Sequence, residues 1–346
     1  MKGGTPRVEV AEGVLEGVTS DGVSCFLGVP YAAPPVGDLR FRAPRPAPSW
    51  TGVRSAAAYG PPAYQMTLAN LKDVGALIGK RDPGVEGTFP VPPTFAQDAM
   101  PLDSSEDCLY LDIYVPPGAA DAGPLPVYVY YHGGANVSNS AAAMHDIQRG
   151  ENLARAENII VVQPQYRVGA LGWVHFGLVD ETLEEAVNLG LQDQIAALKW
   201  ISNNIGRFGG DPANITIGGE SAGGTAVSHL VANPEARRYV RRAIMQSLSP
   251  FNTWCTQREP EARAVAEVYR QILGAQNLQT IDPDEFLALQ SVMSRLFHPD
   301  TSVAWRPHGG VVDGKFIHDL PVLKLAADGL DDPDFEVMIG FAKDEW

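Results

Sequence analysis

Cysteine is scarce in this chain: Cys25, Cys108 and Cys255 are the only three, and none stands in CxxC spacing. That excludes a disulfide framework and a thiolate zinc site, leaving buried or incidental thiols. Positive charge is also short, with 26 Lys and Arg against 41 Asp and Glu and a formal net charge of −15. The average field of such a molecule repels a phosphate backbone or an anionic membrane surface, so nucleic acid is not an expected partner. Long apolar runs are missing, and no stretch approaches the roughly 20 residues of a membrane helix. The opening Met1-Lys2-Gly3-Gly4-Thr5-Pro6 carries no apolar core of a secretory signal, so the expected location is cytoplasmic. What is present is a chain of 346 residues with 45% hydrophobic and 19% charged residues, the balance of an ordinary folded protein. One domain spanning 1–346 is the economical expectation.

Val8-Glu9-Val10 and Val14 to Val18 flank Glu12-Gly13 and read as a hairpin opening the fold at a sheet edge. Prolines crowd Pro30 to Pro48 and predict an extended surface loop, and residues 61–107 continue in the same irregular style. Regular structure is expected from Leu109–Val115 onward. The run Pro126–Tyr131 predicts a central strand covered on both faces, with further strands at Ile159–Gln163 and Ile215–Gly219. Between the last two, Leu191, Ile195, Leu198, Ile201 and Ile205 recur near helical spacing, which predicts an amphipathic crossover helix. Helix is expected again at Ala222–Val231 and Glu259–Leu273, and strand at Arg242–Gln246 and Phe335–Gly340. Strands alternating with helices predict an α/β fold with a mostly parallel sheet.

Two motifs carry chemistry. Gly219-Glu220-Ser221-Ala222-Gly223 fits GxSxG between a predicted strand and a predicted helix, the context of a nucleophile elbow. Such a turn forces the serine into strained dihedrals and needs small residues two before and two after it, a need that Gly219 and Gly223 meet. The bland alternative is a glycine-rich turn whose serine caps a helix. His132-Gly133-Gly134-Ala135 directly follows the central strand, where backbone N–H groups can hold an oxyanion, although a plain glycine turn explains the same residues taken alone. Together the motifs point to Ser221 as nucleophile, with the amides of Gly134, Ala135 and Ala222 as oxyanion donors.

The chain resembles the type-B carboxylesterase and cholinesterase-like family. The resemblance rests on Phe26-Leu27-Gly28-Val29-Pro30-Tyr31-Ala32, Pro34-Pro35-Val36-Gly37, Leu39-Arg40-Phe41 and Trp50, then on Ser105-Glu106-Asp107-Cys108-Leu109-Tyr110-Leu111, and finally on Phe208-Gly209-Gly210-Asp211-Pro212 and Gly219 to Gly224. It implies an α/β-hydrolase fold with helices on both faces of the sheet, a serine acyl-enzyme acting on small carboxylic esters, and no metal or organic cofactor. It also implies that Glu220 is a supporting carboxylate and that Glu345, in Gly340-Phe341-Ala342-Lys343-Asp344-Glu345, orients the catalytic histidine.

The departures from the family pattern carry expectations of their own. All seven histidines, at 132, 145, 175, 229, 298, 308 and 318, precede Glu345, whereas the family order is serine, acid, histidine. The expectation is a domain incomplete at its C-terminus and an esterase impaired or inactive as this chain. The alternative is a catalytically silent cholinesterase-like binding protein, and acyl transfer to an alcohol would use the same acyl-enzyme. Cys108 matches a family half-cystine whose partner position is Ala63, so that bridge is not expected. Residues 64–107 contain no tryptophan to bind quaternary ammonium by cation–π attraction, which makes choline esters poor candidates. The sequence is silent on acyl and alcohol specificity and on oligomeric state.

Overall fold

The computed structural model describes residues 5–67, 76–77, 103–119, 121–141, 149–248, 256–274, 276–297, 307–321, 324 and 334–343. A small sheet joins β1 (Arg7–Val10), β2 (Gly13–Glu16) and β5 (Val53–Ser55). The expected hairpin exists, with Val10 opposite Gly13, but it does not edge the main sheet. That edge is β3 (Val18–Ser20), paired antiparallel with β4 (Val23–Pro30).

The central sheet has eight strands. Its order is β13 (Glu336–Gly340), β10 (Arg242–Gln246), β9 (Gly210–Glu220), β7 (Leu125–Tyr131), β8 (Ile160–Pro164), β6 (Tyr110–Val115), β4 and β3. The strands from β13 to β8 run parallel, and β6 and β4 close the other side antiparallel. The central sheet thus takes in strands well before Leu109, at β3 and β4. β4 escapes a period-2 reading because it bulges between Phe26 and Val29, where Gly28 takes φ +64°. A Cβ there would sit 2.7 Å from the Ala58 carbonyl oxygen, so the bulge requires glycine.

β8 is buried along its whole length, as a continuous apolar run predicts. β7 is not. Val127, Val129 and Tyr131 are buried while Tyr128 and Tyr130 stay half-exposed, so one face of this central strand is only partly covered. The proline-rich segment after β4 also departs from expectation, since Tyr31, Ala32, Arg40 and Phe41 are buried rather than spread over the surface. Phe41 meets Phe176 and Phe286 edge-on, with centroids 5.0 and 5.4 Å apart.

Helices cover the sheet. They are α1 (Gly150–Glu157), α2 (Gly169–Trp173), α3 (Leu189–Asn204), α4 (Ala222–Ala232), α5 (Pro234–Arg237), α6 (Glu259–Leu273) and α7 (Pro283–Phe297). α3 stands where helical spacing placed it, and α4 and α6 where helix was expected from composition. The main core joins Val129 of β7 and Val162 of β8 to Leu191, Leu198 and Ile201 of α3 and to Val227 and Leu230 of α4. A second core gathers Val265 and Tyr269 of α6 and Phe286 and Leu289 of α7 around Phe176. The segment after β8 is tied to α3 by a buried ion pair, in which Arg167 Nε and Nη2 donate to Asp193 Oδ2 and Oδ1 at 2.8 and 2.7 Å. Among the described residues, no helix is long and apolar enough to cross a membrane.

Candidate active site

The two motifs meet at the carboxyl ends of the parallel strands, where open α/β sheets place their ligand crevice. Register brings them together: Tyr131, the last residue of β7, lies opposite Gly219 on β9, so His132-Gly133-Gly134 leaves the sheet beside the turn that carries Ser221. Ser221 adopts φ 57° and ψ −122°, a backbone region that costs an L residue on the order of 1–3 kcal/mol and persists only where its surroundings impose it.

Here the imposing contacts are visible. Ser221 N–H donates to the Gln246 carbonyl at 2.9 Å, and Thr225 N–H donates to the Ser221 carbonyl at 3.0 Å. A Cβ on Gly219 would stand 2.4 Å from the Gly223 carbonyl carbon, and one on Gly223 would stand 2.1 Å from the Tyr131 carbonyl oxygen. Both glycines are therefore required by backbone proximity, as the motif predicts. The plain capping alternative fails as well, because the Ser221 side chain makes no capping bond to α4.

The loop that follows β7 packs directly on this turn. A Cβ on Gly133 would meet the Glu220 carbonyl oxygen at 2.7 Å, Glu220 Oε2 at 3.0 Å and Ser221 Cβ at 3.2 Å. Gly134, Ala135 and Asn136 then run through positive φ of 104°, 56° and 59°, which turns successive peptide groups in a tight arc. Ala222 is the first residue of α4, so its N–H belongs to the unpaired amides at a helix N-terminus, where the helix dipole also favours negative charge. Gly133 thus lies against Glu220 and Ser221, with Gly134 and Ala135 next to it in the chain and Ala222 next to Ser221.

His132 is tied into this loop. It is buried and stacked on Tyr166 with centroids 4.3 Å apart, its Nδ1 lies 2.7 Å from the Gly133 carbonyl, and Tyr166 O–H donates to the His132 carbonyl at 2.6 Å. Burial pushes its pKa down to about 4, against the opposing pull of the Gly133 hydrogen bond, so the ring is neutral near pH 7. Tyr166 carries no motif and was invisible in the sequence.

The other described histidines are engaged elsewhere: His175 with the Gly309 carbonyl and Asn188 N–H, His229 with Thr256 and His308 with Tyr269, while His318 is exposed. His145, His298 and Glu345 lie outside the described residues. The strand leading to Glu345 is placed, however. Gly340, at the end of β13, lies opposite Gln246, which lies opposite Glu220, and Ser247 N–H donates to the Gly340 carbonyl at 2.8 Å. Cys108 and Ala63 are both buried and line one small cavity, and Cys108 is a free thiol.

A family model described as the carboxylesterase family matches residues 4–346. The chain belongs to the carboxylesterase family. Carboxylesterase 1E of Mus musculus is 39% identical over 263 residues, covering 76% of this chain and 42% of that protein. Acetylcholinesterase of Bungarus fasciatus is 35% identical and covers 99% of this chain and 54% of that protein. Among solved structures, a PNB esterase superposes with a TM-score of 0.80 at 31% identity, covering 99% of this chain and 64% of its own. The likeness shows the α/β-hydrolase fold expected from the sequence. The chain spans about half the length of the curated carboxylesterases and cholinesterases that it matches.

Proposed function

We propose that the chain carries the nucleophile and the oxyanion donors of a carboxylic ester hydrolase that acts through a serine acyl-enzyme. Ser221 Oγ attacks the ester carbonyl carbon, and the carbonyl electrons move onto oxygen, where the amides of Gly134, Ala135 and Ala222 receive the charge. A histidine oriented by Glu345 would take the Ser221 hydroxyl proton and pass it to the departing alkoxide, so that collapse releases the alcohol and leaves an acyl-serine. The same base would then deprotonate the water that releases the acid and restores Ser221. The observation that carries this reading is the strained Ser221, its Cβ held 3.2 Å from the place a Gly133 side chain would occupy, so that the turn and the loop after β7 are in contact. Glu345, a few residues past the end of β13, is the acid that would orient a histidine base.

None of the described histidines hydrogen-bonds Ser221, and loss of a triad member costs on the order of 10⁴ to 10⁶ in rate. The same observation favours a second reading, a silent binding protein on this fold. Intact-mass measurement after prolonged incubation with p-nitrophenyl acetate separates them. Slow uptake of one acetyl group on Ser221, lost in Ser221→Ala, supports the esterase, and no uptake at Ser221 removes it.

A further inference from the structure

Outside the two motifs, one buried side chain grips the oxyanion loop from a distant part of the sequence. Gln65 is 1% exposed and pairs with the peptide group of Asn139 in both directions. Asn139 N–H donates to Gln65 Oε1 at 2.7 Å, and Gln65 Nε2 donates to the Asn139 carbonyl at 3.0 Å and to the Ala63 carbonyl at 2.9 Å. The side-chain amide thus replaces a neighbouring strand.

Its base is itself anchored. Ala63 bridges to Ser105, Ser105 N–H donates to the Pro62 carbonyl at 2.9 Å, and Ser104 O–H donates to the Gln65 carbonyl at 3.0 Å. Asn139 is no bystander to the site. A Cβ on Gly134 would fall 2.3 Å from the Ser138 carbonyl oxygen and 2.7 Å from Asn139 Cβ, so the donor-bearing glycine lies against the residue that Gln65 holds. Val137 N–H and Ser138 N–H both donate to the Gly134 carbonyl, at 3.0 and 3.1 Å, closing the loop on itself.

The loop needs such restraint. Ala135, Asn136 and Asn139 are non-glycine residues at φ of 56°, 59° and 86°, left-handed conformations that neighbouring contacts must hold. Two grips do so: Gly169 N–H on the Asn136 carbonyl at 2.6 Å, and the Gln65 amide on Asn139.

We propose that Gln65 is a positioning residue for the oxyanion hole, fixing the Gly134 and Ala135 amides at the spacing that the acylation transition state requires. The proposal rests on the reading of those amides as oxyanion donors. Gln65 touches no reacting atom, and its effect falls on the chemical step rather than on ester binding.

The test compares wild type with Gln65→Ala and Gln65→Glu in two measurements. One is amide hydrogen exchange over peptides carrying residues 133–140. The other is the rate of fluorophosphonate capture by Ser221, with the capture rate constant separated from the probe's binding constant. Gln65→Ala should raise exchange of the loop peptide alone, leaving peptides from β7 and β9 unmoved. It should lower the capture rate constant by about tenfold to a hundredfold at an unchanged binding constant. Gln65→Glu keeps an acceptor for Asn139 N–H and regains an O–H donor when protonated, so its capture rate relative to wild type should recover as pH falls. Unchanged loop exchange in Gln65→Ala, or exchange rising equally over the whole sheet, overturns the proposal. Should wild-type Ser221 take up no probe, the ester reading fails and exchange alone decides the role of Gln65.

Discussion

Gly223→Ala sets two strong effects against each other. In the first turn of α4, helix propensity favours alanine over glycine by about 1 kcal/mol, which on its own predicts stabilisation. Packing predicts the opposite. The new methyl would sit 2.1 Å from the Tyr131 carbonyl oxygen and 2.8 Å from that of His132, against a comfortable carbon contact of about 3.5 Å. Both obstructing atoms are backbone, one at the end of β7 and one at the start of the oxyanion loop. Relief therefore means moving α4 off the sheet, an overpacking that two backbone obstructions place at the upper end of the usual range, about 3 kcal/mol, so a net loss of about 2 kcal/mol is expected. Gly206 provides the control, since it is exposed, has no positive φ and would place a Cβ in open space. Gly206→Ala should stabilise by about 0.4–1 kcal/mol. Urea unfolding of both variants at constant m-value reads the difference directly. A Gly223→Ala protein as stable as wild type would refute the claim that the elbow is pressed against β7.

Ser221→Gly relieves the strained φ of 57° and should raise stability by about 1 kcal/mol in the same assay while abolishing acylation, the trade expected where strain serves chemistry. Asp193→Ala leaves Arg167 buried and unpaired, so a loss of about 3–5 kcal/mol is expected, and a loss under 1 kcal/mol would mean that the pair is solvated. Burial holds His132, His175 and His229 down at about 4, below the ordinary 6.5, so the unfolded chain binds protons that the native one does not. Stability should therefore fall as pH drops from 6.5 towards 4, as followed by thermal unfolding. Asp112 has the opposite sign: burial raises it to about 7 despite a 2.8 Å hydrogen bond from Gly28 N–H, so its contribution is present below 3.8 and lost as pH rises through 7. Asp112→Asn keeps an acceptor for that N–H and should stabilise at pH 8 while changing little at pH 4.

Local features of the fold were legible. α6 read correctly because its Ala-, Glu-, Arg- and Val-rich composition suits a helix, and β8 read correctly because every residue in it is buried. β4 did not, since its bulge at Gly28 breaks the alternation that marks a strand, and α2 is too short for helical periodicity to emerge. The site divides in the same way. Elbow and oxyanion loop are short contiguous motifs whose glycines answer to nearby backbone. Tyr166 and Gln65 act across gaps of 34 and 74 residues, through contacts that exist only after the sheet and the segment before β6 have come together.

The most direct test of the central claim, that Ser221 is a strained nucleophile facing a ring of main-chain donors, is peptide-level mapping of the fluorophosphonate adduct. The account predicts a single phosphonylated residue, Ser221, whose adduct vanishes in Ser221→Ala. An adduct confined to another serine, or one that survives that substitution, contradicts it.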